Sequence, residues 1–326
     1  MYDAIDYEVF PEIIVNYLHY MTGIKNKSSK TVYEYSINLK LFCRYMSVHK
    51  KIQPEPISDS TYIKNLDADF FKNISLAEAY SFLSYCKDVR NNSEATRARK
   101  VAAIRSFYHY LSNQQLVKDS PLQNLDTPKL KKTLPKYLTL DESLDLLKCI
   151  DGKHRERDYA MIVLFLNCGL RLSELVGLNY TDIKENTVTV TGKGNKQRTV
   201  YLNEACLSAI NNYMRVRPVD GVIDKKALFL SSRLKRISPK TVQYTVKHFL
   251  QKAGLDGYSV HKLRHTAATL MYQYGDTDLL VLKEILGHEN VGTTQIYTHI
   301  VNAQLEEAAE SNPLAKIKPD NNQADK

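Results

Sequence analysis

The chain has 326 residues, of which 43% are hydrophobic and 25% charged, a balance that is typical of a two-domain globular protein and excludes a disordered chain. No run of about 18 apolar residues is present, so no membrane helix is predicted. The first ten residues carry three acids and no base, unlike a secretory signal. The formal net charge of +9 is compatible with a polyanionic partner such as nucleic acid, although many basic proteins bind none.

The cysteines are scattered along the chain without any CxxC pair. This spacing argues against a disulfide framework or a zinc knuckle and is typical of a protein of the reducing cytoplasm. We therefore expect a cytoplasmic location and small buried core residues at all five positions: Cys43, Cys86, Cys149, Cys168 and Cys206.

Residues 1–115 are predicted to form a helical domain. Apolar residues recur at helical spacing from Val9 to Met21 and from Val32 to Met46. Ser75 and Glu78 have the spacing of a capping box, so a third helix is predicted to begin there. Residues 50–66 contain two prolines and are predicted to form a loop.

A fourth helix is predicted from about Glu94 to Leu111, with one basic side. That side could lie on a phosphate backbone, or it could be an ordinary solvated face. The candidate DNA-contacting residues on it are Arg97, Arg99, Lys100 and Arg105.

Residues 116–136 are predicted to form an extended, basic connector, because Pro121, Pro128 and Pro135 interrupt the helical pattern. Such a connector could follow a DNA backbone or could be a plain solvated linker. Its candidate DNA-contacting residues are Lys129, Lys131 and Lys132.

Residues 137–312 are predicted to form a second domain. It begins with a capping box at Thr139 and Glu142, followed by an apolar helix from about Asp158 to Asn167. A β-hairpin is predicted from Thr187 to Leu202, with lysines at its tip, and mainly helices follow it. A last helix is predicted at 301–310, before a loose tail at 313–326.

Four short segments of this second domain carry candidate functional residues. CGLRLSEL holds Arg171 and Glu174, three residues apart, so that on a helical turn the carboxylate can orient the guanidinium; a structural ion pair is the alternative. TGKGNKQR holds Lys193 at the hairpin tip, where a solvated lysine is the alternative. It lacks the Walker pattern.

The other two segments contain histidines. HKLRH holds His261 and Arg264 one helical turn apart, and Lys262 stands where a zincin would need glutamate, so phosphate recognition is favoured over metal binding. LGHENVGTTQIYTH holds His288 and Tyr297, but the chain has 22 tyrosines, so composition alone does not select a nucleophile.

Taken together, two arginines, a lysine and two histidines suit the stabilisation of a phosphate whose negative charge grows during reaction. These four segments, in this order, resemble the motifs of the tyrosine recombinase (lambda integrase-like) family, with wording similar to that of Xer recombinases. The resemblance covers roughly residues 138–309, while residues 1–115 are similar only in kind to a helical, SAM-like core-binding domain.

The resemblance implies a catalytic role for each matching residue. Tyr297 would be the nucleophile, Arg171 and Arg264 would hold the phosphate oxygens, and Lys193 would protonate the leaving oxygen. His261 would exchange a proton with the tyrosine and His288 would donate to the phosphate, with Glu174 as support for Arg171. No metal and no nucleotide cofactor are implied.

The resemblance also implies an architecture: a mainly α fold with a small β-sheet in the catalytic domain, arranged as a two-domain C-shaped clamp on double-stranded DNA. Recombination would require a homotetramer, or a heterotetramer with a paralogue, and would pass through a Holliday junction. Helix 301–310 would dock on a neighbouring subunit. A type IB topoisomerase and a cleavage-deficient DNA-binding protein are the alternatives, and chromosome-dimer resolution, integration and excision all remain open as the biological role.

Overall fold

The chain is mainly helical and has one small antiparallel sheet, which confirms the predicted fold class. The structure is a computed structural model and describes residues 5–118, 121–129, 136–192, 196–274 and 279–287. The chain divides into two units, Met1–Lys132 and Thr133–Lys326, and each has its own hydrophobic core. Within the described ranges, no helix has the length and apolar character needed to cross a membrane.

The described part of the first unit contains five α-helices, which follow a short 3-10 turn at Tyr7–Val9. These helices are α1 Glu12–Gly23, α2 Ser29–His49, α3 Ala68–Lys72, α4 Leu76–Asp88 and α5 Glu94–Asn113. The predicted capping box is present at the start of α4, where Ser75 and Glu78 cap each other. Helix α3 was not predicted from the sequence, because it is only five residues long and is stabilised by the burial of Phe70 and Phe71 rather than marked by a periodic pattern.

The prediction of an extended connector is wrong for its first part, which folds onto the first unit. A short 3-10 turn covers Pro121–Asn124, and the side chains of Val117, Leu122 and Leu125 are buried in the same core as α1, α2 and α5. Leu122 and Leu125 lie between Pro121 and Pro128, and Val117 precedes them. Burying these three apolar side chains stabilises a compact turn over an extended chain.

The second unit contains seven α-helices in its described part. These are α6 Leu140–Lys148, α7 Arg155–Cys168, α8 Leu172–Gly177, α9 Glu204–Val216, α10 Pro239–Lys252, α11 Val260–Tyr274 and α12 Leu279–Leu286. Helix α7 is central: it is buried along nearly its whole length and packs against α9 and α11. The capping box of Thr139 and Glu142 is present as predicted. Pro239 is the first residue of α10.

The sheet of the second unit has the order β1-β2-β3, from Ile183–Lys184, Thr187–Thr191 and Gln197–Tyr201. Strands β2 and β3 form the predicted hairpin, with Val188 opposite Val200 and Val190 opposite Arg198. The three valines are buried, so this face of the hairpin packs on the core. The hairpin tip at 193–195 and the helix predicted at 301–310 lie outside the described residues.

Candidate active site

The candidate site is organised around the carboxylate of Glu174, whose side chain is completely buried in the first turn of α8. Arg171 donates to it from Nη1 at 2.7 Å and from its backbone N–H at 2.7 Å, so the contact expected from their spacing is present. Arg198 donates from Nη1 and Nη2 at 2.5 and 3.0 Å. Nη1 of Arg264 lies 3.9 Å from the same carboxylate. One buried carboxylate therefore meets three guanidinium groups.

The charge of Glu174 is maintained by these partners. Burial by itself would raise the pKa of the carboxyl group, but the hydrogen bonds and charges of Arg198 and Arg171 outweigh burial and hold the pKa at about 2. Glu174 is therefore a carboxylate throughout the ordinary pH range. Its negative charge offsets part of the repulsion among the arginines.

The C-terminal end of α12 supplies a second anchor for the same arginines. A helix C-terminus presents carbonyl groups without helical partners and favours positive charge. Here three successive carbonyl oxygens accept from three guanidinium groups: Ile285 from Arg198 at 3.1 Å, Leu286 from Arg264 at 2.5 Å and Gly287 from Arg171 at 2.7 Å.

Helix α11 contributes Arg264 and His261 from adjacent turns. Arg264 is only 4% exposed, and its Nη1 also donates to the carbonyl of Gly169 at 2.6 Å. His261 has an exposed side chain. Its pKa is lowered by partial desolvation and by the positive charges of Arg264 and Arg171. His261 is therefore predominantly neutral near pH 7 and able to accept a proton.

His265 lies one turn after His261, and the two Nε2 atoms are 3.1 Å apart. The pKa of His265 is lowered to about 4, mainly by burial and further by electrostatic interactions with His261 and Arg264. Among the described residues, no group of three or more histidine, cysteine, aspartate or glutamate side chains could hold a metal ion.

The base of the β-hairpin reaches the same cluster. Gly192 closes the hairpin by donating to the carbonyl of Lys196 at 2.8 Å. A Cβ atom added at Gly192 would lie 3.6 Å from Oε1 of Glu174 and 3.9 Å from Nη1 of Arg171. The next residue in the chain is Lys193.

The structure thus brings together four of the predicted site residues: Arg171, Glu174, His261 and Arg264. Lys193, His288 and Tyr297 lie outside the described residues, as do Lys131 and Lys132. Sequence reasoning missed Arg198 as a member of the cluster. Its strand position opposite a buried valine was the available signal, because a charged residue on a core-facing position needs a partner.

The predicted DNA-contacting face of α5 is only partly exposed. Arg99 and Arg105 are exposed, and Arg97 is intermediate. Arg105 also donates to the carbonyl of Gln123 at 3.0 Å. Lys129, in the connector, is exposed.

Lys100 does not share this exposed face, contrary to the sequence expectation. Its side chain is 7% exposed, and its ammonium group donates to Oδ1 of Asn38 on α2 at 3.1 Å. Lys100 lies on the side of α5 that faces α2, so the aliphatic part of its side chain packs inside the unit. Burial lowers its pKa.

Comparison with protein families gives matches over both units. The model of the phage integrase family matches residues 136–304, which is more than half of the chain. The model described as the phage integrase N-terminal SAM-like domain matches residues 14–115. The chain belongs to the phage integrase family.

The similar proteins narrow this assignment to the tyrosine recombinases. This family member is 52% identical over 311 residues to tyrosine recombinase XerC of Caldanaerobacter subterraneus subsp. tengcongensis, covering 94% of this chain and 88% of the relative. It is 32% identical to tyrosine recombinase XerC of Roseiflexus sp., covering 92% of each. This phage integrase family member is therefore a tyrosine-type site-specific recombinase similar to the Xer enzymes.

Solved structures show the same fold. The XerH recombinase bound to its palindromic difH substrate matches with a TM-score of 0.67 and 25% identity, covering 92% of this recombinase and 94% of that chain. A lambda integrase dimer bound to a COC′ core site matches with a TM-score of 0.65 and 16% identity, covering 86% and 95%.

Proposed function

We propose that this recombinase cuts and rejoins double-stranded DNA at a specific site through a covalent bond between Tyr297 and a 3′ phosphate. The observation that carries the proposal is the cluster in which Arg171 and Arg264 meet around Glu174 and the end of α12. His261 is near enough to both arginines for their charges to lower its pKa. Such a cluster suits a phosphoryl transfer, in which the protein mainly positions groups and stabilises charge.

Arg171 and Arg264 hold the two non-bridging oxygens of the scissile phosphate. Negative charge grows on these oxygens as the attacking oxygen approaches, and planar guanidinium groups match their geometry. Preorganisation supports this role, because Glu174 and the α12 carbonyl groups fix both guanidinium groups in advance. His288, which follows Gly287 in the chain, donates a third hydrogen bond to the phosphate.

The Tyr297 hydroxyl oxygen forms a bond to phosphorus, and the bond from phosphorus to the 5′ oxygen of the next nucleotide breaks. His261 takes the tyrosine proton, a role that its lowered pKa supports. Lys193 gives a proton to the departing 5′ oxygen. The phosphodiester is conserved as a tyrosyl ester, so rejoining needs neither ATP nor a metal ion.

DNA binding is proposed for both parts of the chain. Residues 1–115 form the core-binding domain, together with Val117, Leu122 and Leu125, which are buried in the same core, and residues 137–312 form the catalytic domain. The rest of the basic segment 116–136 lies between them in the chain. Contacts to the phosphate backbone come from Arg97, Arg99 and Arg105 on α5 and from Lys129, Lys131 and Lys132.

Strand exchange is proposed to occur in a tetramer on two duplexes, as a homotetramer or with a paralogue, through a Holliday junction. Helix 301–310 would dock on the neighbouring subunit. The similarity to XerC over most of the chain favours recombination over the relaxation activity of a type IB topoisomerase. A plasmid without a recombination site that was nevertheless relaxed would overturn this preference.

The test is covalent capture on DNA that carries candidate sites, with a nick that lets the short fragment diffuse away after cleavage. The wild type should give a protein–DNA band on a denaturing gel, and Tyr297→Phe should give none. Tyr244→Phe is the matched control, because Tyr244 is an exposed tyrosine of the same unit, 74% accessible. A band that persists in Tyr297→Phe would show that another residue is the nucleophile.

A further inference from the structure

Arg198 occupies an unusual position for a charged residue. It stands opposite Val190 in the β2–β3 pairing, on the same face as the buried pair Val188 and Val200. This face of the hairpin packs on the core, and the side chain of Arg198 is only 16% exposed. A charge on a core-facing strand position is costly unless it is fully paired, and a hydrophobic residue there would often be as stable.

The cost of this position is offset because the side chain of Arg198 bonds from β3 to both α8 and α12. Two nitrogen atoms bind the carboxylate of Glu174 on α8, at 2.5 and 3.0 Å. Its Nε donates to the carbonyl of Ile285 at the end of α12, at 3.1 Å. Arg198 therefore connects the hairpin to the carboxylate of Glu174, which also binds Arg171. It also connects the hairpin to the end of α12, where the carbonyl of Leu286 accepts from Arg264.

The connection fixes the base of the hairpin. Arg198 is two residues beyond Lys196, whose carbonyl accepts the Gly192 bond that closes the hairpin. Gly192 itself approaches Glu174 and Arg171 so closely that an added Cβ would lie within 4 Å of both. The hairpin base is thus held at the arginine cluster, and the chain leaves that base directly into Lys193.

The backbone of Gly287 packs closely against the side chain of Arg198. A Cβ atom added at Gly287 would lie 3.1 Å from Cδ and 3.2 Å from Nη1 of Arg198, and the φ angle of Gly287 is +62°. Glycine accepts this conformation and leaves room for the guanidinium. The backbone before His288 and the side chain of Arg198 therefore fit against each other.

We propose that Arg198 is a positioning residue for the recombination reaction, which holds the hairpin that carries Lys193 against Glu174. This role rests on the proposed function, in which Lys193 protonates the leaving 5′ oxygen. Arg198 acts through Lys193 and does not itself touch the phosphate. Its loss should therefore impair protonation of the leaving group more than it impairs charge stabilisation.

A substrate with sulfur in place of the bridging 5′ oxygen at the scissile phosphate tests this role. A thiolate is a good leaving group and departs without being protonated, so it removes the need for a correctly placed Lys193. The readout is the ratio of cleavage rates on the oxygen and sulfur substrates. A purely structural defect would slow both cleavage reactions and leave this ratio unchanged.

Arg236 provides the matched control. It forms an ion pair with Asp224 at 2.8 Å and donates to the carbonyl groups of Val176 and Leu178, so it is also a partly buried arginine that joins an acid to backbone carbonyls. It has no contact with Glu174 among the described interactions. Arg236→Gln should lower stability without changing the oxygen-to-sulfur ratio.

We expect Arg198→Gln to slow cleavage of the oxygen substrate by about 10- to 100-fold, which is at most the lower limit of what general acid catalysis contributes, because Lys193 is displaced rather than removed. Most of this loss should disappear on the sulfur substrate, as it should for Lys193→Ala. Arg198→Lys, which keeps a positive charge beside Glu174, should show a smaller effect of the same kind. It also supplies the comparison if the glutamine variant does not fold, and DNA affinity measured beforehand identifies folded protein.

Two outcomes would overturn the proposal in distinguishable ways. If the sulfur substrate restores Lys193→Ala but neither folded Arg198 variant, Arg198 does not act through Lys193, and the proposed function stands. If the sulfur substrate does not restore Lys193→Ala, the role of Lys193 in the proposed function fails, and the role of Arg198 fails with it.

Discussion

Gly169 at the end of α7 faces Leu286 at the end of α12 at very short range: a Cβ added at Gly169 would lie 2.9 Å from Cδ2 of Leu286. Gly169 has a φ angle of +57°, and its carbonyl accepts from Arg264. The Leu286 carbonyl accepts from the same guanidinium. The close approach of these two residues therefore places both carbonyl groups on one arginine.

Gly169→Ala should be strongly destabilising for this reason. The left-handed conformation costs about 1–2 kcal/mol for a residue with a side chain, and the clash with Leu286 adds about 1–3 kcal/mol. Gly254→Ala is the control, because Gly254 has a φ angle of +71° and a Cβ there would meet no described atom within 4 Å. Urea unfolding should show a larger loss for Gly169→Ala; equal losses would contradict the close packing.

The stability of the second unit should depend on pH through Glu174. Its pKa is about 2 in the folded protein, below the ordinary 4.5. A lowered carboxyl pKa contributes stability that is complete above about pH 4.5 and is lost as the pH falls toward 2. Glu174→Gln should remove this contribution, on the order of 3 kcal/mol at neutral pH. It should also flatten the loss of stability in acid.

The measurement is the free energy of unfolding of the full chain between pH 2 and 7. Glu142→Gln is a control that removes a carboxylate from a capping box of the same unit. It should leave most of the acid dependence in place. A Glu174→Gln profile parallel to that of the wild type would contradict the prediction.

Arg264→Lys should abolish most cleavage while leaving DNA binding largely intact. Arg264 donates to two carbonyl groups with two separate nitrogen atoms, and a single ammonium group does not reproduce this fork. We expect cleavage in a single-turnover assay to fall by about 10²–10³-fold. Arg217→Lys is the control, since Arg217 also donates to two carbonyl groups, those of Leu228 and Ala227, away from the Glu174 cluster. Near-normal cleavage by Arg264→Lys would refute its proposed role.

Arg99 and Lys100 are neighbours in sequence but should behave differently in DNA binding. Arg99 is exposed on α5. Arg99→Gln should therefore reduce the slope of the logarithm of the binding constant against the logarithm of the salt concentration by about one. Lys100 is buried against Asn38, so Lys100→Met should change stability and leave that dependence unchanged. Affinity measured over a series of salt concentrations distinguishes them. An equal change in both variants would mean that Lys100 also reaches a phosphate.

Local chemistry allowed several features to be predicted from the sequence. The capping boxes at Ser75 and Thr139 and the β2–β3 hairpin depend on short-range hydrogen bonding and on alternation of side chains, and both were predicted where they occur. The order of the four catalytic segments likewise indicated the family. Helix α3 and the burial of Val117, Leu122 and Leu125 in the first unit were not predicted, because they depend on packing against distant helices.

The sequence by itself therefore determined the family, the helical class and the set of residue types needed for phosphoryl transfer. Only the tertiary structure decided which of these residues share a site and which do not. Glu174 was expected to support one arginine, yet it meets three, because Arg198 and Arg264 reach it from elements 24 and 90 residues away in the chain. Lys100 was expected on a DNA-facing surface, yet it is buried against α2. Charge pairing and burial act through space, and a one-dimensional pattern carries spacing but not proximity.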